Sequence, residues 1–194
     1  MVGNDVVDLA DPEVRKGAAH PRFDARVFAQ SEREVLRESG APERLRWFLW
    51  AAKEAAYKLA KKLDPKIIFS PKQFVVSLDA TLVGEVAHSD RSYPVRLAAG
   101  SDSVHAVATD SAALRRIVSA VATTDAPLDA SRAVRELATS VLAERLAVPN
   151  ETVCIGRRGR APTVDVLGQD AALDLSLSHH GRFVAFACDL GGAA

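Results

Sequence analysis

The same order of elements occurs twice in this chain, and that doubling constrains the fold more than any other feature. The stretch "RWFLWAAKEAAYKLAKKL", residues 46–63, lies between Pro42 and Pro65 and has no internal breaker. Its length favours a mostly buried helix over a strand. Four strand-like runs follow, at 72–78, 81–88, 94–100 and 103–110. "TTDAPLD" (123–129) reads as a linker, and "SRAVRELATSVLAERLA" (131–147) as a second amphipathic helix. Four more strand-like runs come after it, at 151–158, 162–168, 173–180 and 182–190. Setting 103–110 against 182–189 matches Ala106 with Ala185, Ala108 with Ala187 and Asp110 with Asp189. The repeated order makes an internal repeat credible. The expected fold is α+β: two similar halves, 1–124 and 125–194, with antiparallel sheets packed against helices.

Smaller signals fill in the rest. "NDVVDL" reads as a short apolar strand ended by Asp11-Pro12. Alternation puts Asp5 and Val7 on one face, Val6 and Asp8 on the other. "QSEREVLRESG" (30–40) predicts a helix, with Ser31 and Glu34 at capping-box spacing and Gly40 at its end. "SAALRRIVSAVA" (111–122) predicts another short helix. Cys154 and Cys188 stand far apart and form no CxxC metal motif. "MVGNDVVDLADPE" lacks the basic start and apolar core of a signal peptide, and no run approaches a membrane span. A cytoplasmic protein without a membrane or nucleic-acid partner is the expectation.

The 25 basic and 25 acidic residues cancel, so any charged surface must be local. One such surface runs from Glu43 to Lys72, where eight basic residues face Glu43, Glu54 and Asp64. "GRRGR" (156–160) is a smaller cluster. Two cationic clusters on a neutral chain fit a polyanionic ligand or an acidic partner; solvated surface lysines are the plainer alternative. Glu54, Lys58, Lys61 and Lys62 share a helical stripe. That stripe reads either as an exposed ion-pair face or, if Asp5 packs beside it, as a site for a hard cation with lysines for phosphate. Asp5 itself reads equally as a turn or cap residue. Ser178 and His179 end a strand near Gly181, with His180 beside them. There is no GxSxG, no P-loop and no catalytic-looking cysteine.

Together these residues resemble the 4′-phosphopantetheinyl transferase superfamily. Gly3-Asn4-Asp5 is similar to the family's Gly-x-Asp strand. Trp50, Lys53, Glu54 and Lys58 match its Trp-x-x-Lys-Glu-x-x-x-Lys helix. Phe28 and Glu32 resemble the F…E stretch, "GRAP" (159–162) the Gly-Lys-Pro segment, and "SLSHHG" (176–181) the Ser-His motif. The resemblance implies Mg²⁺-dependent (or Mn²⁺-dependent) transfer of phosphopantetheine from coenzyme A to a serine of a carrier protein, so the missing nucleophile belongs to the partner. It implies Asp5, Glu54 and Lys58 as catalytic residues, with Asp5 and Glu54 as metal ligands. For coenzyme A it points to Lys58, Lys53, Ser178, His179, Arg160, Arg132 and Arg135. For an acidic carrier it points to Arg44, Arg46, Lys61, Lys62 and Lys66. A catalytically silent relative that binds coenzyme A or a carrier is the alternative.

Two departures from the family stand out. Larger two-half members carry the Ser-His half first, and here the order is reversed. Small trimeric carrier-protein synthases have this motif order but are one repeat long. The expectation is a monomeric pseudo-dimer with a single site between its halves. Val7 stands where many two-half members are acidic, so two carboxylates are expected at the metal.

Overall fold

The computed structural model describes residues 1–18, 22–110, 116–125, 129–159 and 161–191. In the first half, strand β1 (Val2–Asp8) leads into α1 (Pro12–Ala18), α2 (Phe23–Val27), α3 (Gln30–Glu38) and the long α4 (Pro42–Leu63). Strands β2 (Val75–Leu78), β3 (Val83–His88), β4 (Arg91–Ala99) and β5 (Ser103–Thr109) follow as antiparallel hairpins. β5 returns to pair with β1, giving the order β1-β5-β4-β3-β2. The second half is built alike. β6 (Ile117–Thr123) leads to α5 (Ala130–Leu146), then β7 (Val153–Arg158), β8 (Ala161–Val166), β9 (Gln169–Asp170), β10 (Asp174–His180) and β11 (Phe183–Asp189). β11 returns to pair with β6, in a sheet ordered β10-β11-β6; β7, β8 and β9 form a separate small sheet. The fold is α+β, with antiparallel sheets packed against helices. Among the described residues no helix is long and apolar enough to cross a membrane.

Three expectations change. Ile117–Thr123 is a strand, where a helix over 111–122 was expected; residues 111–115 lie outside the described residues. The free edge of β11 offers a ladder that this β-branched segment satisfies, and pairing overrides local pattern. Because β6 belongs to the second sheet, we place the division between the halves ahead of Ile117, not at 124/125. Each half then begins with the strand that its last hairpin recaptures. At α3 the helix starts at Gln30 behind Ala29, and the residue that receives the Ala29 N–H is Glu32 (2.7 Å), not Glu34. Glu32 is buried because it also receives Lys53, which fixes the inward-facing side of the helix.

The faces of β1 decide where the site forms. Gly3, Asp5 and Val7 face α4. That helix buries Ala51, Ala52, Ala55, Ala56 and Ala60 together with Phe48, Leu49 and Leu59. The alanines let the helix lie close to the sheet, and Gly3 makes the approach closer still. A Cβ there would stand 2.1 Å from the Ala55 carbonyl oxygen and 2.7 Å from the Leu59 nitrogen. Both are backbone atoms, so the helix itself would have to move. Gly3→Ala is therefore expected to cost about 1–3 kcal/mol of stability, read by urea unfolding. An unchanged midpoint and slope would show that the packing is looser than this.

The other face and edge of β1 meet the second half. Val2 packs with Val107, Ile117 and Ala187. β1 and β10 lie side by side as edge strands of their sheets, and among the described residues no backbone ladder joins them. Side chains do so instead. The N–H groups of Val2, Asn4 and Asp8 donate to Asp174, to Ser176 Oγ and to His180 Nδ1. The carbonyls of Val2 and Asn4 accept from Lys62 and Lys58. An edge that could pair with a foreign strand is thus covered from within. Asp8 adds a forked ion pair to Arg182, both bonds 2.8 Å, which pulls its carboxyl down to about 2. Gly181 has φ +53°, and a Cβ there would strike Asp8 Oδ2 at 2.6 Å, so only glycine suits this turn.

Candidate active site

Asp5 and Glu54 converge where β1 crosses α4. Asp5 Oδ1 accepts a 2.7 Å bond from Lys58 Nζ, which also donates to the Asn4 carbonyl at 3.0 Å. Burial pushes the Asp5 carboxyl above its usual range, with Lys58 pulling the other way. Glu54 is half-buried one helical turn before Lys58. Burial first, and then the Asp5 charge, push its carboxyl up to about 7. The Asp5 charge is thus close enough to Glu54 to be felt. Among the described residues, no protein donor hydrogen-bonds the Glu54 carboxylate. Two partly buried carboxylates sharing one lysine carry an uncompensated negative charge. That donor set fits a hard divalent cation, which takes one or two carboxylates and fills its remaining positions with water and phosphate oxygens. Among the described residues no cluster of three or more His, Cys, Asp or Glu side chains could hold a metal.

Beside this pair opens a cavity of about 700 Å³ at the junction of the halves. α4 contributes Tyr57, Lys58, Lys61 and Lys62; α5 contributes Ser131, Val134 and Arg135. β10 contributes Asp174 to Leu177 and His179, and the β7–β8 hairpin adds Arg157 and Pro162. Lys58, His179 and Arg135 are therefore brought to one cavity from both halves, and Lys58 links it to Asp5. Arg157 lines the same wall; the basic "GRRGR" cluster was its only sequence signal.

Other expected site residues go elsewhere. Lys53 is fully buried. It donates to Glu32 Oε2 at 2.7 Å and to the carbonyls of Pro71 and Phe74, which uses its three hydrogens. It also lies over the Phe28 ring, 5.6 Å from the centroid. Its hydrogens are spent within the core, and it does not line the cavity. Ser178 is buried between strands and accepts from Asn4 Nδ2 at 2.9 Å, so its hydroxyl does not face the cavity. Arg132 is exposed, pairs with Asp129 and Glu136 of its own helix, and does not line the cavity. Arg160 lies outside the described residues. Trp50 packs against Phe23 and Phe69 and anchors α4.

The expected docking face is also reduced. Arg46 is clamped by Asp24 through two bonds of 2.6 and 2.9 Å. Lys62 is spent on Val2, Asp174 and Leu175 across the junction. Lys61 holds the Pro65 and Ile67 carbonyls at the cavity mouth. Arg44 donates to Gly100 O on the first turn of α4, whereas Lys66 follows its last turn. At 1.5 Å per residue these two stand about 30 Å apart, so they cannot form one patch.

A two-half α+β fold with a lysine- and arginine-lined cavity at its junction defines the architecture. The comparison with known families goes further. The model of the 4′-phosphopantetheinyl transferase superfamily matches residues 1–114, and the chain belongs to that superfamily. The matched span holds Gly3, Asp5, Lys53, Glu54 and Lys58; the Ser-His strand lies beyond it. No curated protein matches the chain.

Proposed function

We propose that this protein transfers the 4′-phosphopantetheine group of coenzyme A to a serine of an acyl or peptidyl carrier protein, with Mg²⁺ or Mn²⁺, releasing adenosine 3′,5′-bisphosphate. The observation that supports this reading is Lys58, which pairs with Asp5 beside Glu54 and also lines a cavity shared with Lys61, Arg135, Arg157 and His179. A pyrophosphate with a further phosphate needs several cations, and here they come from both halves. Asp5 and Glu54 would hold the metal, which when bound supplies charge neutralisation at the pyrophosphate. Lys58 stabilises charge that develops on the departing phosphate. Glu54 also suits acceptance of the proton from the incoming hydroxyl. His179, Arg135 and Arg157 suit the 3′-phosphate end. The carrier would approach the cavity mouth, where Lys61 and Lys66 lie on either side of Pro65. Both halves belong to one chain, so a monomer suffices.

The test is a panel of apo-carriers incubated with coenzyme A and Mg²⁺ and read by intact-protein mass spectrometry. Addition of one phosphopantetheine to a carrier, abolished by chelator, is the expected result. A panel without modified carrier, in the presence of tight coenzyme A binding, would point to a silent binding protein.

A further inference from the structure

Asn4 stands at the variable position of the Gly-x-Asp strand, and no role in the reaction falls to it from the motif. Yet it is fully buried and makes four polar contacts. Its N–H donates to Ser176 Oγ at 3.0 Å. Its amide nitrogen donates to Ser178 Oγ at 2.9 Å and meets His105 Nε2 at 3.1 Å. Its carbonyl accepts from Lys58 at 3.0 Å. These partners lie on β10, β5 and α4, the elements that surround the carboxylate pair. The surrounding chemistry fixes the direction of each bond. His105 is buried and pushed down to about 4, so its ring is neutral, and with the Asn4 amide nitrogen facing Nε2 the ring proton belongs on Nδ1. Ser178 sends its own hydrogen toward the Ala185 carbonyl (3.4 Å), leaving a lone pair for Asn4. With the amide turned over, two N–H groups would be left without acceptors; as it stands, only Oδ1 lacks a partner.

A buried polar group of this kind costs stability unless its bonds do something an apolar residue could not. Leucine would fill the space between the strands equally well. What it could not do is fix the register of β1 against β10, where no backbone ladder does so. The residue beside Asn4 is Asp5, and the lysine on its carbonyl is the one paired with Asp5. We infer that Asn4 is a positioning residue: through its side-chain bonds to Ser178 and His105 it holds the stretch of β1 whose main-chain carbonyl receives Lys58, and so sets the placement of Asp5 against Glu54, linking the carboxylate pair to the half that carries the Ser-His strand. This rests on the transferase reading for its kinetic consequence, but not for its structural one. It also gives Ser178 a different task from ligand binding.

The experiment compares the wild type with Asn4→Leu, Ser178→Ala and the double variant. Transfer kinetics, Mn²⁺ titration and thermal melting are measured for each. A displacement of the reacting groups by an ångström can cost roughly 10²-fold in rate, and loss of groups that orient metal ligands costs about 10- to 100-fold in affinity or activity. The expected result is a kcat lowered some 10- to 100-fold in Asn4→Leu and less in Ser178→Ala, with the KM for coenzyme A within about twofold in both. Mn²⁺ affinity should fall about tenfold in Asn4→Leu, and the double variant should be no worse than Asn4→Leu alone. A raised KM with unchanged kcat in Ser178→Ala would return Ser178 to the ligand and overturn the inference. So would additive losses in the double variant, or losses that only follow the melting temperature. If the wild type modifies no carrier, the transferase reading fails separately. The Mn²⁺ titration then decides: weaker binding by a folded Asn4→Leu supports the inference, and equal binding or none in the wild type overturns it.

Discussion

Glu54→Gln is expected to lower phosphopantetheine transfer by roughly 10³-fold or more, the scale of removing a charge-stabilising group at a reacting centre, while making the folded chain more stable above neutral pH. The two effects have one cause. Glu54 sits in a partly buried place with no protein donor among the described residues, beside the like charge of Asp5, and its carboxyl rises from 4.5 to about 7. A group whose folded pKa is raised contributes stability that is fully present below the unfolded value and lost as pH climbs through the folded one. Between pH 4.5 and about 7 the folded chain therefore holds a proton that the unfolded chain releases. Above about 7 the buried charge works against folding. Glutamine removes that charge. Its benefit at pH 8 is of the order of 1–2 kcal/mol once partial exposure is allowed for. Metal binding runs the opposite way. It needs the carboxylate, so divalent affinity should weaken progressively below about pH 7 and saturating metal should carry activity to lower pH. Melting curves with and without Mg²⁺ at pH 6 and 8 check both signs. An unstabilised, active Glu54→Gln would remove Glu54 from the metal assignment.

Lys53→Ala should lose about 3–5 kcal/mol of stability, the usual consequence of leaving one member of a buried ion pair without the other. Glu32 would remain in the core with its Oε2 facing the vacated space, still tied to the N–H groups of Ala29 and Val76. The carbonyls of Pro71 and Phe74 would lose their donor as well. Chemical unfolding of Lys53→Ala, Glu32→Gln and the pair together measures this. The double variant should lose less than the sum, because the stranded charge has gone. At a temperature where Lys53→Ala remains folded, the KM for coenzyme A should stay near the wild-type value. A selective rise in that KM without loss of stability would restore Lys53 to the ligand. On this account the adjacent residues of the Lys-Glu motif serve opposite ends. Lys53 holds the helix in the molecule, and Glu54 faces the chemistry.

Much of this was legible in the chain. The repeated helix-and-strands order, the strand limits near 103–110 and 182–189, and the breaker-free run before Pro65 rest on local pattern, which periodicity reports well. Alternation in β1 separated Asp5 from Asp8, and they do face different elements: Lys58 for one, Arg182 for the other. The Gly-x-Asp spacing also carries its own physical reason, since Gly3 admits the helix and Asp5 lies two residues along the same face.

What local pattern could not convey was the direction in which each charged or hydroxylated side chain is spent. Lys53 and Lys58 look alike in the sequence, yet one meets Glu32 and the other Asp5, 21 and 53 residues away. Ser178 and His179 are neighbours, but pleating turns Ser178 toward Asn4, 174 residues distant, and leaves His179 on the cavity. Lys62 and Arg46 look like free surface cations until Asp174 and Asp24 arrive beside them. Ile117–Thr123 has a helical pattern until β11 offers it an edge. Side-chain periodicity is set by neighbours along the chain, so the sequence determined the elements and the faces that carry Asp5, Glu54 and Lys58. Partners for buried polar groups come from segments distant in sequence. Only the tertiary structure could therefore decide which cations face the cavity, which are consumed in holding the halves together, and that Asn4 joins the two.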